Sequence, residues 1–142
     1  MNKLNIFTDG GSRGNPGPAA CSFVVLVGSG KMIENRGKYL GITTNNVAEY
    51  QAIIFALEWL TGEVRALLQT TPAVNIFADS KLVVSQLNGT FKVKNPNIRN
   101  LIFIIREKEV SLPIAIKYNL ISREKNSLAD EKVNSTLDKI SF

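Results

Sequence analysis

The order of the apolar segments restricts the fold of this chain more than any other feature. Three β-rich segments come first, and these predicted strands are Lys3–Thr8, Cys21–Val27 and Lys31–Leu40. Gly28 and Gly30 favour a hairpin turn between the second and third strands. From Val47 onward, apolar residues recur at intervals of three and four, which is the period of a helix. The chain is therefore expected to begin as an antiparallel sheet and to continue with helices.

Beyond the first helix, short strands alternate with helices. The predicted elements are a helical turn at Glu63–Gln69, strands at Val74–Ala78 and Ile114–Ile121, and helices at Ser80–Leu87, Asn97–Val110 and Ser127–Ile140. Such alternation is typical of parallel strands in a sheet covered by helices. We therefore predict an α/β fold in which residues 1–142 form a single domain around a mixed five-stranded sheet, three antiparallel strands followed by parallel strands.

The amino-acid composition limits the chemistry that this chain can perform. It contains no histidine and one cysteine, Cys21. Histidine-based zinc sites, Ser-His-Asp triads and an intrachain disulfide are thereby excluded. A lone cysteine fits a reducing compartment, and no apolar run is long enough to span a bilayer, so we expect a cytoplasmic protein. Catalysis would have to use carboxylates, hydroxyls, lysines or metal ions.

The net charge is +5, and the basic residues are unevenly distributed. The segment from Lys81 to Arg106 contains five basic residues and no acidic one. A basic segment of this kind suits a polyanion such as nucleic acid. On charge alone, a solvated basic surface is the better interpretation.

Four carboxylates lie near the ends of predicted elements. Asp9 and Asp79 end the first and fourth strands in the similar contexts NIFTD and NIFAD, and Glu49 and Asp130 fall in the first turns of two helices. Each has a local explanation, because Glu49, Asp79 and Asp130 have the spacing of helix caps and Asp9 could stabilise its own turn. Taken singly, capping is the better explanation for Glu49, Asp79 and Asp130, but it does not explain two strand-ending aspartates.

A carboxylate cluster is a natural site for hard cations. Clustered carboxylates repel each other, and a bound cation neutralises that repulsion. Because the available ligands are all oxygen atoms, Mg²⁺ or Mn²⁺ is expected rather than Zn²⁺. Two such ions about 4 Å apart would clamp the attacking water and the leaving oxygen of a phosphodiester.

Four motifs resemble those of type 1 ribonuclease H, in the family's order. They are Asp9–Ser12 with Gly14–Gly17, Thr44–Glu49, Asp79–Gly89 and Asn126–Asp130. The resemblance covers about residues 3 to 140 and implies a ribonuclease H-like fold with helices on both faces of the sheet. It also implies sequence-independent endonucleolytic cleavage of the RNA strand of an RNA–DNA hybrid. Two Mg²⁺ ions, with Mn²⁺ as a substitute, would serve this hydrolysis, which gives 5′-phosphate and 3′-hydroxyl ends.

The resemblance also implies roles for individual residues. The metal ligands and catalytic residues would be Asp9, Glu49, Asp79 and Asp130, with Glu49 also touching a ribose 2′-hydroxyl. The residues that would contact the RNA strand are Gly11, Ser12, Arg13, Asn15, Ser80 and Lys81. The residues that would contact the DNA strand are Thr44, Asn45 and Asn46. Glycines 10, 11 and 14 are predicted to let the backbone approach the RNA closely. No protein partner is implied, and a monomer is expected.

The chain departs from the family in three places, one of which is Val47, at a position where a basic residue is often found. Many members have a histidine before the fourth motif, at a position near Leu120 here, and Arg123 is the nearest candidate to replace part of its role. We therefore predict activity without a rate-limiting group that titrates like histidine near about pH 6.5. The basic protrusion of some bacterial members is absent, and Phe91 with Lys92 and Lys94 could form a reduced duplex contact. Packing of Phe91 on the core is an equal alternative.

Other interpretations remain open at this point. The aromatic residues predicted to belong to the core are Phe55, Trp59, Phe77 and Phe103. A non-catalytic module that binds RNA–DNA hybrids is one functional alternative. An integrase-like or junction-resolving nuclease of the same general fold is another, and half of an actin-like ATPase ranks last because the chain is too short.

Overall fold

The computed structural model describes residues 3–62, 65–71 and 73–140. The strands are β1 (Leu4–Ser12), β2 (Gly17–Val27), β3 (Lys31–Thr43), β4 (Val74–Ala78) and β5 (Ile116–Leu120). The α-helices are α1 (Asn45–Thr61), α2 (Lys81–Leu87), α3 (Pro96–Ser111) and α4 (Ser127–Asp138). Two short 3-10 helices lie at Arg65–Gln69 and Arg123–Asn126. The start of the helical turn predicted at Glu63–Gln69 lies outside the described residues. Its remainder, Arg65–Gln69, is the first 3-10 helix.

The five strands form one mixed sheet in the order β3-β2-β1-β4-β5. Strands β1, β2 and β3 pair antiparallel, whereas β4 pairs parallel with both β1 and β5. The predicted fold class is therefore confirmed. The backbone pairing of β1 with β4 ends at Phe7 and Phe77, one residue before Thr8 and two residues before Asp9.

Two predicted boundaries are wrong near the glycine-rich segment. Strand β1 does not end at Thr8 but continues through Gly10 and Gly11 to Ser12, since these residues pair with the start of β2. Asp9 therefore lies inside a strand rather than at its end. Similarly, β3 continues to Thr43 and α1 begins at Asn45, so the predicted loop at Gly41–Asn46 is nearly absent. Cross-strand pairing overrides the weak strand propensity of these residues.

Helices α1 and α4 cover opposite faces of the sheet. The ring of Phe23 on β2 contacts Phe55 on α1, with ring centroids 4.9 Å apart. The neighbouring Ser22 instead donates from its hydroxyl to the Ala129 carbonyl on α4, at 2.6 Å. Because successive strand residues point to opposite faces, the two helices pack on different sides.

The predicted aromatic core is only partly correct. Trp59 is buried and Phe55 packs against the main apolar cluster, as predicted. Phe77 is only partly buried and stacks on Phe7. Phe103 is 64% exposed, so its assignment to the core is wrong. Helix α3 turns Ile98 and Ile105 inward instead, and Phe103 lies on its outer surface.

Candidate active site

Four carboxylates from four different elements line a single cavity of about 300 Å³. Asp9 comes from β1, Glu49 from α1, Asp79 from the residue directly after β4, and Asp130 from the first turn of α4. The sheet order places β1 and β4 side by side, which brings two of these residues together. The structure therefore assembles all four predicted carboxylates at one place.

The capping explanations for these carboxylates are wrong. Helix α1 is capped by Thr44, whose hydroxyl accepts from the Val47 backbone N–H at 3.2 Å. Helix α2 is capped by Ser80 rather than by Asp79. Helix α4 follows Asn126 with no side-chain capping hydrogen bond, so Asp130 does not belong to a capping box. Glu49 also lies beyond the first turn of α1, which begins earlier than predicted.

The electrostatic environment of Asp9 and Glu49 disfavours their charged forms. Burial raises the pKa of Asp9 to about 8, with further contributions from the charges of Asp79, Asp130 and Glu49. Burial also raises the pKa of Glu49 to about 7, although a hydrogen bond from Ser80 and the charge of Arg123 act in the opposite direction. A positive charge placed among these groups would relieve both effects.

The donor set of the cavity suits a hard divalent cation. The four acidic side chains that line the cavity would offer carboxylate oxygens, and Mg²⁺ and Mn²⁺ prefer oxygen ligands. Across residues 3–62, 65–71 and 73–140, no three acidic or cysteine side chains are grouped tightly enough to form a finished metal site. Mutual repulsion of the carboxylates is consistent with this open arrangement. By charge, burial and donor chemistry, the residues fit the expected cations.

Gly10 brings α1 against β1. A Cβ atom at Gly10 would lie 2.2 Å from the backbone carbonyl carbon of Ala48 and 2.5 Å from the backbone nitrogen of Glu49. A side chain at Gly10 would therefore push Glu49 away from Asp9. Helix packing therefore requires this glycine, and close approach of the Gly10 backbone to RNA stays a prediction. Gly14 has a φ of +95°, which favours glycine in the turn between β1 and β2.

The two segments predicted to contact opposite nucleic-acid strands are joined by hydrogen bonds. The side-chain Oδ1 of Asn45 accepts from the backbone N–H of Ser12 at 2.8 Å and from its hydroxyl at 3.1 Å. In return, Oδ1 of Asn15 accepts from the backbone N–H of Asn45 at 3.0 Å. The β1–β2 turn and the start of α1 are thus held at a fixed separation.

Two arginines line the cavity together with the carboxylates. Arg13 forms an ion pair with Asp138 at 2.6 Å and donates to the carbonyl of Asn134 at 3.3 Å, both on α4. Arg123 lies on the second 3-10 helix, and its charge lowers the pKa of Glu49. The structure therefore places the predicted auxiliary Arg123 at the site.

Some of the other predicted residues line the cavity and others do not. Gly11, Ser12 and Asn45 line it. The predicted residues outside its lining are Asn15, Thr44, Asn46, Ser80, Lys81, Lys92 and Lys94. Lys92 and Lys94 are exposed on the segment between α2 and α3. Phe91 beside them is 47% exposed, so its packing in the core is not observed.

Sequence reasoning missed several residues of this site. Helix α4 contributes Val133, Asn134 and Leu137 to the cavity wall. Their spacing of three, four and seven from Asp130 places them on one helical face and could have identified them. Asn126 was noticed as part of a motif, but no role was assigned to it. Its burial and its hydrogen bonds appear only in the three-dimensional structure.

Comparison with known protein families gives a consistent result. The sequence model of the RNase H family matches residues 1–136. The bifunctional protein Rv2228c of Mycobacterium tuberculosis is 38% identical over 137 residues, which are 96% of this chain and 36% of that protein. This chain thus spans about a third of the length of that relative. Ribonuclease HI of Halobacterium salinarum is 34% identical over 136 residues, which are 96% of this chain and 65% of that protein.

Solved structures show the same similarity along nearly the whole chain. LC11-RNase H1, isolated from compost by a metagenomic approach, superposes with a TM-score of 0.88 at 41% identity, covering 98% of both chains. LC11-RNase H1 in complex with an RNA/DNA hybrid superposes with a TM-score of 0.90 at 40% identity. That comparison covers 96% of this chain and 98% of the other.

Proposed function

Because the chain belongs to the RNase H family, we propose that it is an endoribonuclease that hydrolyses the RNA strand of RNA–DNA hybrids. The observation that carries this proposal is the assembly of Asp9, Glu49, Asp79 and Asp130 around one cavity. A similar protein, LC11-RNase H1, has been solved in complex with an RNA/DNA hybrid, which supports the choice of substrate. The products would be 5′-phosphate and 3′-hydroxyl ends, formed without sequence preference.

We propose that the four carboxylates hold two Mg²⁺ ions, which Mn²⁺ can replace. When bound, the two ions would activate water and stabilise the charge that develops on the scissile phosphate. Asp9 and Glu49 would be fully ionised in that state, because the cations oppose the burial that raises their pKa values. A hydrogen bond from Ser80 would also favour the ionised form of Glu49, since it opposes the rise in its pKa.

The joined segments around the cavity suit a duplex of two different strands. We propose that Gly11, Ser12, Arg13 and Asn15 contact the RNA strand, together with Ser80 and Lys81 at the start of α2. Residues Thr44, Asn45 and Asn46 would contact the DNA strand. Contacts to sugars and phosphates carry no base information, which explains cleavage without sequence preference. A contact from Glu49 to a ribose 2′-hydroxyl would select RNA as the strand that is cut.

Arg123 is proposed to support the reaction through its charge. A guanidinium stays protonated near neutral pH, so it cannot donate a proton to the leaving oxygen. Beside Glu49, it can orient water and stabilise negative charge at the reacting phosphate. Lys92 and Lys94 would add a weak, salt-sensitive contact to the duplex outside the cavity.

We further propose that residues 1–142 act as one monomeric domain in the cytoplasm. The apolar side chains of the sheet, α1, α2 and α3 form one large cluster, which supports a single folding unit. Cys21 is buried, and burial raises the pKa of its thiol to about 12, so it is unreactive. In the described part of the chain, no helix combines the length and hydrophobicity needed to cross a bilayer.

A gel assay with end-labelled RNA annealed to DNA tests the proposed activity. Cleavage of the RNA is expected with Mg²⁺ and is expected to stop with EDTA or with Asp79→Asn. Glu131→Gln is the matched control, because it neutralises an exposed carboxylate outside the cavity lining. Hybrid binding without cleavage in Mg²⁺ or Mn²⁺ would instead support a binding module, and cleavage restricted to branched DNA would support a resolvase.

A further inference from the structure

Where the backbone pairing of β1 with β4 ends, side-chain hydrogen bonds continue to connect the two strands. The last paired residues of these strands are Phe7 and Phe77. Immediately beyond them, the Thr8 hydroxyl donates to the Phe77 carbonyl at 3.0 Å. The side-chain amide of Asn126 then donates to the Thr8 carbonyl at 2.9 Å and to Oδ2 of Asp79 at 3.1 Å. The next residue along β1 is Asp9.

Both side chains are buried at this junction. Thr8 and Asn126 are each 1% exposed, which is unusual for polar residues. The orientation of the Asn126 amide is chemically defined, since a carbonyl and a carboxylate oxygen both require a donor. Asn126 also ends the 3-10 helix that leads into α4, four residues before Asp130. It therefore contacts β1 and Asp79 and lies one helical turn from Asp130.

This arrangement is costly for the fold. Among the described residues, nothing donates a hydrogen bond to Oδ1 of Asn126, although that atom is buried. A buried acceptor without a partner destabilises a protein, because its interactions with water are lost and not replaced. Local costs of this kind are expected where a residue serves function rather than stability.

We infer that Thr8 and Asn126 are positioning residues that set the separation of Asp9 and Asp79, and thereby the affinity of the site for divalent cations. This inference rests on the proposed function, because it assigns cation binding to these carboxylates. Neither residue lines the cavity, so both act through the carboxylates and not by touching the substrate. Loss of outer hydrogen bonds around metal ligands typically weakens metal affinity or activity by about 10- to 100-fold.

The test measures Mg²⁺ binding by isothermal titration calorimetry, and separately kcat and KM on an RNA–DNA hybrid. Asn126→Ala and Thr8→Val are expected to raise the Kd for Mg²⁺ by about 10- to 100-fold and to lower kcat at fixed Mg²⁺. The KM for the hybrid should change little. Thr8→Ser keeps the hydroxyl and should retain the affinity of the original protein. If Asn126→Ala does not fold, the two Thr8 variants carry the test.

The matched control lies at the opposite end of the same pair of strands. Asn75 donates from its side-chain amide to Asn5 at 3.3 Å, linking β4 to β1 far from the carboxylates. Asn75→Ala should leave the Mg²⁺ Kd unchanged. Unchanged Mg²⁺ affinity in folded Asn126→Ala or Thr8→Val would overturn this inference but would not contradict the proposed ribonuclease function. Absence of cleavage and of Mg²⁺ binding in the unaltered protein would instead overturn the proposed function itself.

Discussion

The two faces of the sheet differ in what they bury. On the α1 side, large residues such as Tyr50, Leu57 and Trp59 form an extensive apolar cluster with β1 and β2. On the α4 side, the described residues form a small separate cluster of Ala20, Val133 and Leu137, with Tyr39 packed against it. Asp9 belongs to this second face, because it pairs with Ser22, whose hydroxyl contacts α4.

Because of this difference, the stability of the fold and the chemistry of the site depend mainly on opposite faces of the sheet. The α1 side removes most of the apolar surface from water and therefore supplies most of the hydrophobic stabilisation. The α4 side leaves room for a polar cavity in which carboxylates are held under mutual repulsion. Substitutions on the two sides should therefore change different measurable quantities.

Asp9→Asn should have the largest effect: it should lower the activity and raise the stability of the protein. Loss of this carboxylate weakens the electrostatic stabilisation of the reacting phosphate and should lower hybrid cleavage by about 10²- to 10³-fold. Because Asp9 is destabilised in its charged form, the same change should raise the melting temperature at pH 8 in EDTA. Cleavage assays and calorimetry on one protein preparation check both signs. A stabilised variant with full activity would remove Asp9 from the proposed mechanism.

Leu57→Ala tests the α1 side. Leu57 is fully buried in the large cluster, and such truncations typically cost about 2–5 kcal/mol of unfolding free energy. Urea denaturation should show this loss, while kcat and KM measured below the unfolding transition should stay unchanged. A large change in kcat without destabilisation would contradict the division between the two faces.

The stability of the cation-free protein should depend on pH because of Asp9 and Glu49. Both pKa values are raised by folding, to about 8 and about 7, so the folded state retains protons that the unfolded state releases. Stability in EDTA should therefore decrease as pH rises from about 4 to about 8. The double variant Asp9→Asn/Glu49→Gln should show a flatter profile.

Addition of Mg²⁺ should reverse this pH effect. The ion neutralises the carboxylates, so stabilisation by Mg²⁺ should be large at pH 8 and small at pH 5. Thermal unfolding at both pH values, with Mg²⁺ and with EDTA, measures the difference. Equal stabilisation at the two pH values would argue against binding at Asp9 and Glu49.

Arg123→Ala should cause a smaller loss of activity than Asp9→Asn. Removal of a nearby positive charge is expected to reduce cleavage on the order of fivefold, equivalent to ~1 kcal/mol. Arg123→Lys keeps the charge and should keep most of the activity. At saturating Mg²⁺, the pH–rate profile of the unaltered protein should lack a histidine-like step near about pH 6.5. Full activity of Arg123→Ala would leave the arginine without a catalytic role.

Phe103→Ser should have the smallest effect. The ring is 64% exposed on the outer surface of α3, and such surface changes usually alter stability by less than about 0.5 kcal/mol. Ile105→Ser, on the buried side of the same helix, is the contrasting variant and should be strongly destabilising. Similar unfolding curves for the two variants would contradict the observed orientation of α3.

Sequence patterns predicted elements better than they predicted boundaries. The period of α1 and the short strand β4 were recognised because their apolar residues follow helix and strand repeats. The extension of β1 through Gly10–Ser12 was missed, since residues of low strand propensity are held there by their partners on β2. The assignment of Phe103 to the core was wrong because hydrophobic character alone does not specify which side of a helix faces the core.

The sequence by itself determined the chemistry available to this protein: four carboxylates in characteristic contexts, no histidine, and a basic second half. Residue type and spacing are local properties, and a sequence displays them directly. Only the tertiary structure decided that Gly10 serves helix packing and that Asn15 and Asn45 join the β1–β2 turn to the start of α1. It also decided that Asn126 connects Thr8 to Asp79, which lie 71 positions apart in the chain. Burial and hydrogen bonds between distant residues arise only when the strands pair and the helices pack.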